Sequence, residues 1–399
     1  MKAGKARAPA GKDAGAASYR HLPVSRMEEI IERFNERVDA AQRAREPDRA
    51  WVTEAIKRRG GRRCPIRVKR LSLDAIVRHG DALADIFCEM PDDLIAFSPY
   101  EWSVGFQPAG RAVRVNTVEA LMTESSWVDE WGARWAHAAD GVGAIQVEHP
   151  LKDWAFLDEY LATRMPDPDG PGRLDDAARQ MAPHRGRKYC IGVQVLGILE
   201  LLRNIRGMEE VFMDFHSSEE QVARLMDALE AWLTRVLLNW AALGADCVML
   251  GDDWGMQTGL QINPAMWRSL FKPRYRRMFA AAHAAGLDIQ FHSCGRVVDI
   301  VEDLIEVGVD ILDPVQPVCM DVGELARRFG GRISFSGAID IQGTMVFGSP
   351  ADVRAEIRRL IETLGKPFGN GFVIGPANSM TPDIPLANVR AMVETCHEQ

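Results

Sequence analysis

The feature that most constrains the fold of this chain is an alternation of short apolar runs with longer helical patterns, from about residue 188 to residue 397. The runs are apolar throughout, so both faces of each predicted strand are expected to be buried. Strands of this kind separated by helices are typical of a parallel sheet covered by helices. The predicted strands are 190–196, 246–250, 287–291, 310–316, 333–337 and 372–375.

Two architectures satisfy this alternation, a TIM barrel and a doubly wound open sheet. The sequence has neither a G-x-G-x-x-G after an early strand nor a P-loop, so nothing favours a nucleotide-binding sheet. Polar residues follow the ends of several different strands, which is how a TIM barrel builds its site. We therefore predict an α/β fold of the (β/α)8 TIM-barrel class, with an N-terminal helical extension at residues 26–45. The strand-end polar residues are Asp252, Asp253, His292, Cys294, Gln316, Asp340 and Asn378.

Composition and charge narrow the class of protein. Residues 1–22 lack an apolar core and predict a disordered leader, and residues 23–399 predict a single domain. The net charge of −8 argues against a nucleic-acid binder, and no run approaches 18 apolar residues, so no membrane span is expected. Seven scattered cysteines without a close C-x-x-C pair are typical of a reducing compartment, which predicts a cytoplasmic protein.

A His-x-Cys pair follows the predicted strand 287–291. Side chains two residues apart on a strand point to the same side, so His292 and Cys294 are expected to converge. An imidazole and a thiolate together suit Zn²⁺, although a buried His beside a buried Cys is the alternative. Catalytic zinc has three protein ligands and an open position. The candidates for the third ligand are Cys319 and Asp253, whereas the neutral amide of Asn378 is a poor ligand.

Further side chains are expected near this site. Asp252 and Asp253 are candidates for acid–base chemistry or cation binding, although one of them is expected to cap a turn. Glu200 either faces the pocket as a catalytic carboxylate or is the first-turn acid of a helix. Trp254 is either a flat wall of the substrate pocket or part of the core. The remaining candidates for substrate binding are Gln316, Asp340 and Asn378.

Five motifs in a fixed order carry a resemblance to a known family. They are His292-Ser-Cys294-Gly, Gly251-Asp-Asp-Trp-Gly255, Asp313-Pro-Val-Gln-Pro317, Phe335-Ser-Gly-Ala-Ile-Asp340 and Pro376-Ala-Asn-Ser-Met-Thr-Pro382. From about Met27 to the C-terminus the chain resembles the uroporphyrinogen decarboxylase superfamily, and within it the cobamide-dependent (methylcobamide:coenzyme M type) methyltransferases. The resemblance implies a TIM barrel, in agreement with the strand and helix pattern.

The methyltransferase branch implies a zinc site built from His-x-Cys and a later Cys. The zinc activates a thiol, which accepts a methyl group from a methyl-corrinoid. His292 and Cys294 match the first two ligands, and the later Cys falls at Asn378. Because the chain lacks the Asp-x-His-x-x-Gly run of a corrinoid-binding domain, a corrinoid is expected on a separate partner protein.

The decarboxylase branch implies an arginine loop that grips substrate carboxylates, and an aspartate in a Phe-Ser-Asp motif. Residues 58–62, Arg58-Arg-Gly-Gly-Arg62, resemble that loop, which makes Arg58 and Arg62 candidates for substrate binding. The second motif reads Phe97-Ser98-Pro99, and proline cannot replace a carboxylate.

Three functions follow as hypotheses. The first is zinc-dependent methyl transfer from a corrinoid or a methylated small molecule to a thiol. The second is a lyase that decarboxylates an acidic, porphyrin-related substrate. The third is a non-catalytic subunit that binds a corrinoid or a tetrapyrrole. The sequence leaves the methyl donor, the acceptor and the oligomeric state open.

Overall fold

A computed structural model describes residues 22–46, 48–98, 106–107, 111–112, 125–137, 145–194 and 196–399. The predicted leader, residues 1–22, lies outside this part of the chain except for Leu22. In chain order the strands are β1 (Leu94–Phe97), β2 (Phe106–Gln107), β3 (Arg111–Ala112), β4 (Ser125–Val128), β5 (Arg134–His137), β6 (Ile145–Glu148), β7 (Tyr189–Gln194), β8 (Cys247–Gly251), β9 (Asp288–His292), β10 (Ile311–Val315), β11 (Ser334–Ile339) and β12 (Phe372–Pro376).

Helices connect and cover these strands. They are α1 (Val24–Ala44), α2 (Arg49–Ile56), α3 (Leu73–Glu89), α4 (Leu157–Thr163), α5 (Asp175–Met181), α6 (Ile198–Arg206), α7 (Met208–Ser217), α8 (Glu219–Leu243), α9 (Pro264–Leu270), α10 (Lys272–Ala284), α11 (Val301–Val307), α12 (Val322–Phe329), α13 (Thr344–Phe347), α14 (Pro350–Leu360) and α15 (Leu386–His397). None of the helices in the described ranges is both long and apolar enough to cross a membrane.

Seven parallel strands form one curled sheet in the order β1-β7-β8-β9-β10-β11-β12. Strands β2–β3 and β4–β5–β6 form two small antiparallel sheets outside it. Because the seven neighbours follow one another in sequence, every crossover advances the sheet in the same direction. The order is that of a barrel wall, and a doubly wound sheet would reverse it at one point.

An eighth segment, residues 65–68, closes the barrel between β12 and β1. The Arg67 amide donates to the Ile374 carbonyl over 2.9 Å, and the Ile374 amide donates to Pro65 over 2.7 Å. On the other side the Asp93 amide donates to the carbonyl of Ile66 over 2.9 Å. These bonds confirm the predicted (β/α)8 barrel, and α1 confirms the N-terminal helical extension.

Helix α2 closes the amino-terminal end of the barrel, where Val52 and Ile56 pack among apolar side chains of the strands. The cluster contains Leu94, Tyr189, Ile191, Cys247, Ile311 and Val373. This plug excludes water from that end, so access to the barrel is left to the carboxyl ends of the strands.

Candidate metal centre

His292 and Cys294 lie together at the carboxyl end of β9. His292 is the last residue of the strand, and its Nε2 lies 3.6 Å from the Sγ of Cys294. Ser293 points the other way, is fully buried, and its hydroxyl accepts the amide of Trp254 over 2.9 Å. The period-two alternation of the strand therefore places the two candidate ligands on one side and their anchor on the other.

A glycine contact explains how the turn after Cys294 is held. Gly295 has a φ of +79°, a region that L-residues other than glycine rarely occupy. A Cβ on Gly295 would overlap the backbone of Gly255 in the loop after β8. The two loops therefore meet backbone to backbone, which brings Asp253 of one loop beside Cys294 of the other.

Asp253 completes a group of three potential ligands. Its Oδ1 accepts the amide of Cys294 over 2.8 Å and lies 4.0 Å from the Nε2 of His292. One ligand atom from each of Asp253, His292 and Cys294 falls within 4.8 Å of the others. The Asp253 side chain is 43% exposed, so the centre is open to solvent on that side.

The spacing of this group fits zinc. Tetrahedral zinc bonds sulfur at about 2.3 Å and nitrogen at about 2.0–2.1 Å, which separates two such ligands by about 3.6 Å. The Sγ–Nε2 distance between Cys294 and His292 is 3.6 Å. The corresponding oxygen–nitrogen separation is about 3.4 Å, against 4.0 Å between Asp253 and His292. The carboxylate of Asp253 would therefore have to move toward His292 to bind the same ion.

Asp313 orients His292 from behind. Strand β10 places it directly opposite His292 in the parallel register, and its Oδ2 lies 2.7 Å from the Nδ1 of His292. Its Oδ1 accepts Arg70 over 3.0 Å and the Ser336 hydroxyl over 2.7 Å. A carboxylate on Nδ1 fixes the ring and leaves Nε2 free for a metal.

The charges around this pair shift both pKa values. Burial alone would raise the pKa of Asp313, but Arg70 and His292 hold it well below its usual range. Burial alone would lower the pKa of His292, but the bonds to Asp313 and Cys294 raise it to about 10. The carboxylate of Asp313 is therefore a permanent negative charge beneath the imidazole.

The other candidate third ligand, Cys319, lies outside the group of three found in the described part of the chain. Its Sγ is 3.8 Å from the Oε1 of Gln316, and that oxygen also accepts the amide of Gly295 over 2.6 Å. The side chain of Gln316 therefore supports the turn after Cys294 by accepting the backbone amide of Gly295.

Asn378 contacts the centre at the sulfur of Cys294. Its Nδ2 lies 3.7 Å from the Sγ of Cys294, and its Oδ1 accepts the amide of Ser379 over 2.7 Å.

Glu200 lies at the edge of the centre, where the backbone amide of Asp253 and the side chain of Arg203 donate to its carboxylate. Burial raises the pKa of Glu200.

Asp252 and Trp254 do not face the pocket. Asp252 is fully buried and caps α6, accepting the amides of Leu199 over 3.1 Å and Glu200 over 2.9 Å. It also accepts the hydroxyl of Tyr275, and burial raises its pKa to about 7. Trp254 is fully buried and packs on Phe271 with ring centroids 4.4 Å apart. The expected substrate wall at Trp254 is therefore wrong, because this ring belongs to the core.

Three other predicted substrate contacts lie elsewhere. Asp340 accepts the amides of Gln342 and Thr344, 2.8 and 3.4 Å away, and so caps the turn into α13. Arg58 bonds Ser334 over 3.1 Å at the first residue of β11, which is the amino-terminal end of the barrel. Arg62 is exposed and precedes the eighth segment of the barrel, residues 65–68. The predicted contacts of Arg58 and Arg62 with a substrate at this centre are wrong, because α2 separates the two ends.

A cavity of about 930 Å³ reaches the centre at His292 and Asn378, and its wall includes Arg67 and Arg70. The Nη1 of Arg67 is buried without a hydrogen-bond partner among the described residues. Burial lowers the pKa of Arg67. Sequence reasoning missed Asp313, Arg67 and Arg70 as site residues, although Asp313 stands in one of the quoted motifs.

Comparisons with known proteins agree with this architecture. The family model described as uroporphyrinogen decarboxylase (URO-D) matches residues 139–399. Uroporphyrinogen decarboxylase of Pseudomonas fluorescens is 28% identical over 184 residues, covering 44% of this chain and 47% of the relative. The enzyme of Methylococcus capsulatus is 28% identical over 180 residues, covering 45% and 48%. The chain thus matches about half the length of these curated relatives.

A solved structure extends the likeness over more of the chain. It is a methyltransferase from Methanosarcina mazei, with a TM-score of 0.65 and 14% identity, covering 89% of this chain and 99% of that one. At that identity the similarity concerns the fold, which is the barrel described above. With a family model that matches well over half of its residues, the chain belongs to the uroporphyrinogen decarboxylase family.

Proposed function

We propose that this chain is a zinc-dependent methyltransferase that moves a methyl group from a corrinoid or a methylated small molecule to a thiol. The observation that carries the proposal is the convergence of Asp253, His292 and Cys294 at the open end of the barrel. A nitrogen, a sulfur and a carboxylate oxygen with an open side match the ligand set of a catalytic zinc.

The residues of the chain have distinct tasks in this proposal. Asp253, His292 and Cys294 would hold the metal. Asp313 holds a proton on Nδ1 of His292, so that Nε2 is the nitrogen that gives up its proton when a metal binds. When bound, zinc would lower the pKa of a substrate thiol so that the thiolate exists near neutral pH. Arg67 adds positive charge to the cavity wall and favours a substrate that carries negative charge.

The methyl donor is proposed to come from outside the chain. The sequence lacks the Asp-x-His-x-x-Gly run of a corrinoid-binding domain. A corrinoid held by a separate partner protein, or a free methylated small molecule, would approach the exposed side of Asp253. Both sources are compatible with the open face of the centre.

A decarboxylase-like lyase is the second candidate, favoured by the two arginines of the cavity wall and by the names of the curated relatives. Pro99 opposes it, because it replaces the aspartate of the family's Phe-Ser-Asp motif. The position of Arg58 opposes it as well, since its guanidinium bonds Ser334 at the far end of the barrel.

Metal content and methyl transfer together test the proposal. Elemental analysis of the purified chain is expected to give about one zinc ion per chain, lost in Cys294→Ser and retained in the control Cys319→Ser. The zinc-loaded chain is then mixed with methylcobalamin and a panel of small thiols, and loss of the cobalt-bound methyl group is followed by absorbance. Zinc-free protein that decarboxylates uroporphyrinogen would establish the lyase, and ligand binding without turnover would establish the non-catalytic subunit.

A further inference from the structure

Asn378 stands at the end of β12 with its amide fixed in one orientation. Its Oδ1 accepts the amide of Ser379 over 2.7 Å, which leaves the Nδ2 group directed at Cys294 Sγ, 3.7 Å away. An amide whose oxygen and nitrogen were exchanged would set two donors against each other at Ser379. The side chain is therefore a hydrogen-bond donor toward the sulfur.

The sulfur has few other partners. In the described part of the chain, the polar side-chain contacts of Cys294 Sγ are with His292 Nε2 and Asn378 Nδ2. The amide of Cys294 itself donates to Asp253. Once His292 Nε2 binds a metal it carries no proton, and Asn378 is then the donor that remains at the sulfur.

We propose that Asn378 is a positioning residue that protects Cys294 from alkylation. Its N–H stabilises the negative charge of the sulfur and lowers the nucleophilicity of that sulfur, so that an electrophilic methyl group goes to the substrate thiol instead. This inference rests on the proposed function, because a methyl donor is what makes a nucleophilic ligand sulfur a hazard.

The charge of the centre supports this role. Asp253 and Cys294 each bring one negative charge, and His292 is neutral when bound, so a divalent cation is balanced. A second thiolate at residue 378 would leave the centre at −1 and make both sulfurs better nucleophiles. An amide at this position keeps the centre neutral and adds a hydrogen bond to the one sulfur present.

Alkylation by iodoacetamide tests the inference without the methyl-transfer reaction. The thiolate attacks the methylene carbon, a C–S bond forms, the C–I bond breaks, and iodide leaves with the bonding electrons. The rate constant at Cys294 is measured by peptide mass spectrometry in metal-free protein, at a pH where it no longer rises. His292 is present in every variant, so its own contact with the sulfur is common to all the rates compared. Cys319 in the same chain is the internal reference.

Asn378→Leu removes the donor at similar volume and is expected to raise this plateau rate about three- to tenfold, as a lost charge-assisted hydrogen bond and a Brønsted slope of ~0.4–0.5 imply. Asn378→Asp keeps the shape and the acceptor for Ser379, lacks the donor, and is expected to change the rate in the same direction. Asn239→Leu, at an amide that bonds Pro168 and Asp169, is the control and leaves the rate unchanged.

The outcomes separate this inference from the proposed function. A plateau rate at Cys294 that is equal in wild type, Asn378→Leu and Asn378→Asp overturns the inference even when the protein holds zinc. If the purified wild-type protein contains no zinc but the alkylation rate at Cys294 still differs between wild type and the Asn378 variants, the metal-dependent function is refuted. The hydrogen bond from Asn378 to the sulfur is then still supported. Asn378→Asp decides the question where the leucine variant does not fold.

Discussion

The substitution Asp313→Asn tests how the centre is organised, because it keeps the volume of the side chain and changes one oxygen into a donor. In wild type the Oδ2 of Asp313 accepts from His292, and the Oδ1 accepts from Arg70 and Ser336. An amide nitrogen at the Oδ2 position forces His292 to carry its proton on Nε2, where it blocks the metal. An amide nitrogen at the Oδ1 position opposes two donors. Neither orientation preserves all three bonds.

The expected loss of zinc affinity is about 10- to 100-fold, the usual effect of removing the carboxylate behind a histidine ligand. That loss corresponds to about 1.4–2.7 kcal/mol of binding free energy. Stability is expected to fall as well, because Arg70 loses the buried carboxylate with which it forms an ion pair.

Asp310→Asn is the matched control. Asp310 also pairs with a histidine, since its Oδ2 lies 2.9 Å from the Nε2 of His283, but it does so at the amino-terminal end of the barrel beside Lys57. The Asp310→Asn substitution is expected to lower the melting temperature without changing zinc affinity. Zinc binding is measured by competition with a chromophoric chelator. An affinity within threefold of wild type in a folded Asp313→Asn protein would falsify the assigned role of Asp313.

Two further predictions concern stability. Gly295→Ala is expected to lower the free energy of unfolding by more than the ~1–2 kcal/mol of a left-handed backbone, because its Cβ also overlaps the backbone of Gly255. Gly286→Ala is the control, since its φ is also positive (+86°) but no atom lies within 4 Å of the added Cβ, so only the backbone conformation is unfavourable. Equal urea midpoints for the two variants would refute the contact. Burial, Arg63 and Arg45 lower the pKa of His397 to about 4. Stability attributable to this residue is therefore present above the unfolded pKa of about 6.5 and is lost as the pH falls toward 4. His397→Gln is expected to remove up to about 1.4 kcal/mol per pH unit from the acid slope between these limits, and an unchanged slope in urea titrations would contradict this.

Long, strongly periodic elements could be predicted from the sequence. Helices α8 and α12 are examples, because each has an apolar stripe and a glycine directly after its last residue, and both signals are local. The six strands predicted beyond residue 188 match β7 to β12. The eighth segment, residues 65–68, could not be predicted, since it is short, Arg67 interrupts its apolar pattern, and long-range backbone hydrogen bonds define it.

The same distinction separates the predicted and the missed parts of the site. His292 and Cys294 could be paired because two-residue spacing on a strand is local information. Asp313 is 21 residues from His292, and Arg70 is 243 residues from Asp313. Their contacts depend on strand register and on barrel closure, which no local pattern encodes. The likeness to a loop motif predicts a substrate contact for Arg58, but closure of the barrel puts this residue at the amino-terminal end, away from the centre.

The two Asp–His pairs at opposite ends of the barrel show why composition alone does not define a site. At the amino-terminal end, the other side of the His283 ring faces Gly308, where even a Cβ would overlap the ring. The Nδ1 side of that ring therefore lies against the backbone of Gly308, and its Nε2 bonds Asp310, so both ring nitrogens face structural neighbours. At the carboxyl end, the free nitrogen of His292 faces the sulfur of Cys294, beside an exposed carboxylate and a cavity of about 930 Å³. In both pairs a carboxylate holds one imidazole nitrogen, Nε2 of His283 or Nδ1 of His292. What the other nitrogen faces therefore decides which of the two ends can carry chemistry.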